Sequence, residues 1–166
     1  MIVSVLLFVV MIGLIISISE IDKQTESTTT LFTATVDGVD ITDTGERVFA
    51  EIHTKEYDTS LFISANICEN IKMDEIRDLK DGQTLFFRIE NINVKQMNKV
   101  EFINIVSLET NTKDIFSIDE YNEIVSDSAY PARIASIVTA LLFLFISLFC
   151  FLEIKRNTKK KHTEQT

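Results

Sequence analysis

The chain has 166 residues, 46% of them aliphatic, aromatic or cysteine, with 16 Lys and Arg against 25 Asp and Glu for a net charge of −9. Four Gly, one Pro and two Cys exclude a collagen-like chain and a disulfide scaffold, and the apolar content excludes a disordered one. The apolar residues are concentrated: residues 1–19 and 134–152 contain no Asp, Glu, Lys or Arg, which argues against a soluble cytosolic enzyme.

The first apolar run, residues 1–19, is about 28 Å long as a helix, close to the thickness of a bilayer core. It lacks the basic residues that open a cleaved signal peptide. The sequence therefore predicts a retained signal-anchor helix, with cleavage after the small residues Ser17 or Ser19 as the alternative. Residues 20–30 are polar and without apolar periodicity, and read as a stalk.

From residue 31 the pattern turns to β. Phe32, Ala34 and Val36 alternate with Thr33 and Thr35 ahead of an Asp37-Gly38 turn signal. Val48, Ala50 and Ile52 form a second alternating run, and Leu61, Ile63 and Ala65 a third. Met73 to Leu79 reads as a short helix closed by Lys80-Asp81-Gly82, the Gly fitting a helix end or a tight turn. Leu85, Phe87 and Ile89 form a fourth strand. Val100 to Leu108 gives a fifth whose phase changes near Phe102-Ile103, suggesting a bulge. Ser117 and Glu120 have capping-box spacing and open a second short helix through Ile124. The domain at residues 31–126 thus has the order β-β-β-α-β-β-α, and residues 127–133 read as a linker.

Residues 134–154 form the second transmembrane helix, flanked by Tyr130-Pro131 on one side and Lys155-Arg156 on the other. The tail at 155–166 carries five basic residues (Lys155, Arg156, Lys159, Lys160, Lys161) against Glu164, whereas residues 20–133 carry 23 acids and 11 basic residues, a net −12. The positive-inside rule keeps the tail in the cytoplasm. Both termini are then cytoplasmic, with 20–133 outside a two-pass cell-membrane protein. Ala132, Ser136 and Ala140 are four apart on the second helix, and Gly13 and Ser17 are four apart on the first. Small residues at that spacing let membrane helices approach closely, so these five are the expected helix–helix contacts.

Five strands with a helix between the third and fourth is the element order of an OB-fold. The stretches TATVDGVDI, LKDGQTLFFRIENINV and IVSLETNTKDIFSIDEYNE resemble those of small, largely uncharacterised membrane-anchored proteins of Gram-positive bacteria. Those proteins place an OB-like domain outside the cytoplasmic membrane. The resemblance, over roughly residues 33–152, implies the architecture and transfers no activity. A plain five-stranded sheet with a covering helix is the alternative fold.

Catalytic and metal signatures are weak throughout. His53 lies on a strand and His162 in the tail across the membrane, so the two cannot share a site. His53 with Cys68 could make a base–nucleophile pair, but no local signature accompanies them, and an exposed strand histidine is the simpler reading. Cys68 and Cys150 would be on different sides of a bilayer, which forbids a disulfide; Cys68 reads as a buried small residue or an intermolecular bridge. Asp37, Asp40, Asp43 and Glu46 could offer oxygen ligands to Ca²⁺, yet acids are common in turns. Nucleic acid is excluded as partner because an acidic surface repels phosphates. No cofactor is indicated. The expectation is a non-enzymatic protein bound to the lipid bilayer, its acidic domain binding a protein or envelope component in an accessory or assembly role. An immunity-type protein blocking an extracellular toxin is the alternative, and an envelope enzyme using carboxylates a more distant one.

Overall fold

The computed structural model describes residues 23–163, without the side chains of Ala132, Cys150 and residues 153–163. The apolar run at 1–19, with Gly13 and Ser17, lies outside the described residues. Asp22–Ser128 form one compact unit, built mainly of β-strands.

β1 (Thr29–Asp43) is 15 residues long. β2 (Val48–Thr54) and β3 (Ser60–Ile63) follow it as an antiparallel meander. Two short helices come next, α1 (Ala65–Cys68) and α2 (Met73–Arg77). β4 (Thr84–Glu90) leads through a 3-10 helix (Asn91–Gln96) to β5 (Phe102–Asn104), β6 (Ser107–Thr110) and β7 (Asp114–Phe116). The strands are ordered β5-β3-β2-β1-β4-β6-β7, and β3 with β5 is the parallel pair.

Two strands bend to serve two neighbours each, and this closes the pairing into a circuit. β1 pairs with β4 over Thr29–Thr35 and with β2 from Val36 onward, with a register shift between Val36 and Gly38. The Asp37-Gly38 dipeptide, read from sequence as a turn, is this bulge; an extra residue there bends the strand without ending it. The hairpin turn lies further on at Thr44–Arg47, where Gly45 takes φ +80° and its N–H donates to Asp43 Oδ1 at 2.7 Å. The second bend is at Ile105-Val106. β5 pairs with β3 before it, and β6 pairs with β4 after it. The expected phase change near Phe102-Ile103 therefore falls three residues later.

The interior is filled by the alternating positions of the strands. Ala50, Ile52, Leu61, Ile63, Leu85, Phe87, Ile89 and Leu108 are each at most 1% exposed. Phe32 stacks on Phe87 with ring centroids 5.6 Å apart, and Tyr57 meets Phe87 edge-on at 6.1 Å. α2 turns Ile76 into this core, where it is fully buried, and Gly82 (φ +81°) turns the chain into β4.

Several sequence expectations change. Ala65 opens α1 rather than ending β3. β7 was not anticipated, because Asp114–Phe116 is too short to show a period. The polar segment at 20–30 is not a free stalk in its described part. Thr29 and Thr30 lie in β1, and Gln24 exchanges two hydrogen bonds of 2.8 Å with Asn122: its N–H donates to Asn122 Oδ1, and its carbonyl accepts from Asn122 Nδ2. A run of Thr and Ser has no apolar period to announce a strand that takes its partner from 60 residues away.

The second short helix is a much longer one. α3 runs unbroken over Ile118–Thr163, so the expected linker at 127–133 is helical and passes through Pro131. Its first turn carries the expected capping box. Glu120 Oε2 accepts from the Ser117 N–H at 2.8 Å, and Ser117 Oγ accepts from the Glu120 N–H at 3.2 Å. Among the described residues this is the one helix long and apolar enough to cross a membrane, with a mean hydropathy of 2.2 in its most apolar window.

Candidate functional site

Alternation along β2 points Ala50, Ile52 and Thr54 inward and leaves Phe49, Glu51 and His53 on the outer face. β3 adds Phe62 to that face and β5 adds Phe102. Three aromatic rings thereby form a row across three strands. Phe49 stacks on Phe62 with centroids 5.9 Å apart, and Phe62 meets Phe102 at 5.3 Å. Cross-strand aromatic pairs hold strands together, which accounts for the half-buried Phe49 and Phe62. It does not account for Phe102, which is 51% exposed at the end of the row. Acidic groups border the rings: Glu51 pairs in register with Phe62 on one side and Asp40 on the other.

His53 sits at the margin of the row with both ring nitrogens engaged. Nε2 lies 3.0 Å from Asp40 Oδ2 and Nδ1 lies 3.0 Å from Ser60 Oγ. His53 is thus a strand histidine with its side chain 40% exposed, held by Asp40 and Ser60 and not paired with Cys68. The Asp–His–Ser order is that of a nucleophile chain, but the surroundings do not serve catalysis. Ser60 is 8% exposed, and its N–H is committed to the Glu101 carbonyl at 2.9 Å. The chain instead ties β1, β2 and β3 together beside the aromatic row. The register that brings Asp40 diagonal to His53 follows from the hairpin turn at Thr44–Arg47, so misplacing that turn at Asp37-Gly38 hid the contact from sequence reasoning.

Cys68 is 3% exposed, and its thiol donates to the Ile63 carbonyl at 3.4 Å. Burial pushes its pKa up to about 11, which suits a packed side chain and not a nucleophile. The acids of the first hairpin are used separately, Asp40 on His53 and Asp43 on the Gly45 N–H. Among the described residues no group of three or more His, Cys, Asp or Glu is placed to hold a metal ion.

An open cleft of about 530 Å³ lies beside the start of α3, bordered by Glu69, Lys72, Asp114, Glu120, Glu123 and Asp127. Burial, then the neighbouring Glu120 and Glu75 carboxylates, raise the Asp114 pKa above its ordinary value. A second cleft of about 550 Å³ runs over β4 and β6 between Leu31, Phe86, Arg88 and Glu109. On the surface away from the clefts, Glu56 accepts from the Thr35 N–H and hydroxyl, both at 2.7 Å, and these bonds hold its carboxyl below the usual range.

The expected packing residues fall on α3 as far as they are described. Ser136 is half-buried and Ala140 is 8% exposed, while Ala132 is placed in the helix by its backbone alone. Gly13 and Ser17 lie outside the described residues. Lys155, Arg156, Lys159, Lys160 and Lys161 continue the helix, their side chains outside the description. No protein-family model matches the chain, and neither a curated protein nor a solved structure matches it.

Proposed function

We propose that this is a two-pass membrane protein whose acidic, OB-like domain stands outside the cell and binds a basic protein or envelope component, with no reaction of its own. The Phe49–Phe62–Phe102 row carries this reading, because contiguous rings ending in a half-exposed Phe102 form the kind of apolar patch that marks an interaction surface. The OB-like assignment is supported by the circuit β1-β2-β3-β5/β6-β4, with the parallel β3–β5 pair and α2 between the third and fourth strands. The two-pass topology is supported by the apolar run at residues 1–19, uncharged like the 134–152 stretch of α3, and by the basic residues that follow that stretch. A net −12 over 20–133 selects a partner of positive charge. The same acidity suits an accessory role in an assembly and the interception of a cationic toxin.

The test is site-specific photocrosslinking in intact membranes. A photoreactive residue at Phe102 should give a discrete adduct with one partner, which the same residue at Ile92, 78% exposed on the 3-10 helix, should not give. Identical products from both positions, or none from Phe102, would refute the row as a binding surface.

A further inference from the structure

The outer face of β1, β2, β3 and β5 carries a negative charge that nothing on it answers. Register sets Asp40, Glu51 and Phe62 side by side on β1, β2 and β3, with His53 and Ser60 leading to Phe102 in the next row. Asp40 is engaged, its Oδ2 lying 3.0 Å from His53 Nε2. Glu51 is half-buried, yet its carboxylate has no hydrogen bond or ion pair among the described residues. β2, β3, β5 and the part of β1 from Gly38 onward contain no Lys or Arg. Two carboxylates directly opposite each other on neighbouring strands destabilise a sheet. Here that unfavourable pair stands beside the central ring of the aromatic row.

We infer that this face recognises an arginine side chain of a protein partner, its guanidinium lying against Phe62 and hydrogen-bonded to Glu51. The inference rests on the aromatic row being a binding surface and names the group it takes. Cross-strand neighbours have their Cβ atoms about 5 Å apart, so one planar group can reach the Phe62 ring and the Glu51 carboxylate together. The ring attracts a cation through its quadrupole. The carboxylate adds charge-assisted bonds, for which a guanidinium offers two parallel N–H donors. Phe49 and Phe102 flank Phe62 at 5.9 and 5.3 Å between ring centroids, and shield the contact from water, which strengthens both attractions. The bound cation also offsets the repulsion between Asp40 and Glu51. Arginine is selected over lysine because an ammonium is a strongly hydrated point charge, whereas a guanidinium is weakly hydrated and stacks flat on aromatic rings.

Fluorine NMR of the full chain in detergent, with its 12 phenylalanines replaced by 4-fluorophenylalanine, tests the assignment. Phe62→Leu and Phe87→Leu identify the two resonances needed. The probes are N-acetylarginine amide, N-acetyllysine amide and the neutral isostere N-acetylcitrulline amide. The arginine probe should shift the Phe62 resonance saturably, the lysine probe should bind several-fold more weakly, and the citrulline probe should not bind. Glu51→Gln should weaken arginine binding roughly tenfold or more, and Glu109→Gln, on β6, should leave it unchanged. An unmoved resonance of the buried Phe87 reports that each variant is folded. Equal binding of the arginine and lysine probes, full binding to a folded Glu51→Gln chain, or no shift at Phe62 overturns the inference. Photocrosslinking from Phe102 reads the surface independently. A discrete adduct formed in equal yield by the Glu51→Gln chain defeats the arginine assignment alone, whereas no adduct from the unaltered Glu51 chain defeats the binding surface beneath it.

Discussion

Ile105 and Val106 are adjacent in the chain, yet their backbone N–H groups serve different strands: Ile105 donates to the Phe62 carbonyl in β3 at 3.2 Å and Val106 to the Arg88 carbonyl in β4 at 2.8 Å. The strand changes partner within a single peptide unit. Both side chains remain buried, at 2% and 1% exposed. This is where the circuit of pairings closes. Val106→Pro removes one donor and leaves the Arg88 carbonyl without a partner, an expected loss of more than about 2 kcal/mol. For a domain of this size that corresponds to a fall of roughly 8 °C or more in the thermal midpoint, measured by circular dichroism of the full chain in detergent. An unchanged midpoint would mean the closure contributes little.

The phase of β4 makes a second prediction. Phe87 is fully buried against Phe32 and Tyr57, so Phe87→Ala should cost about 3–5 kcal/mol. Arg88, next to it, points outward and loses only a partly buried 3.3 Å bond from its Nη1 to Thr29 Oγ1, so Arg88→Ala should cost less than about 1 kcal/mol. Denaturant midpoints of the two variants in the same detergent test the order, which a reversed strand phase would invert.

The capping box at the head of α3 predicts that Ser117→Ala will destabilise the domain by about 1 kcal/mol, whereas Ser117→Thr, which keeps the hydroxyl, will retain most of that stability. Amide exchange of the first turn, around Glu120 and Tyr121, should quicken in the Ala variant alone. Equal exchange in both variants would show that the hydroxyl bond at 3.2 Å does not hold the turn.

Cys68 provides a pH-dependent prediction. Its pKa is raised from 9.0 to about 11 by burial, so the folded state favours the neutral thiol. The resulting stability is fully present below pH 9 and is lost as pH rises from there toward 11. A Cys68→Ala chain should lack that alkaline decline. At pH 8 about one thiol in a thousand is ionised, and iodoacetamide should label Cys68 of the Cys150→Ser chain only when denaturant opens the domain. Rapid labelling of the folded protein would contradict the packing of α1.

The strand interiors were legible because period two is a local property. Leu85, Phe87 and Ile89, and likewise Ala50 and Ile52, point inward as the alternation states, and Ser117 with Glu120 marked the head of α3 by spacing alone. What the sequence concealed were the features set by distant partners. Asp37-Gly38 carries a turn signal, but the bulge that occupies it is decided by β1 having to reach both β2 and β4. Ile105, Val106, Ser107 and Leu108 are consecutive buried residues, a pattern with no period, because the strand passes from one neighbour to the next within it. The aromatic row was equally hidden. Phe49, Phe62 and Phe102 come from three separated segments, and only register brings them together. The helical course of 127–133 was masked by Pro131, whose local preference to interrupt a helix yields here to the turns on either side.

The clasp between Gln24 and Asn122 determines how the domain bears mechanical load. Its first described residues meet the head of α3 at one corner, so tension applied through the two ends would load the two 2.8 Å bonds between Gln24 and Asn122 together with the 3.0 Å bond from Gln24 Nε2 to Glu90 Oε1. The Glu90 bond carries part of that load directly into the end of β4. A pull on the ends would therefore act on the corner shared by β1, β4 and α3, on strands other than the β2, β3 and β5 that carry the Phe49–Phe62–Phe102 row.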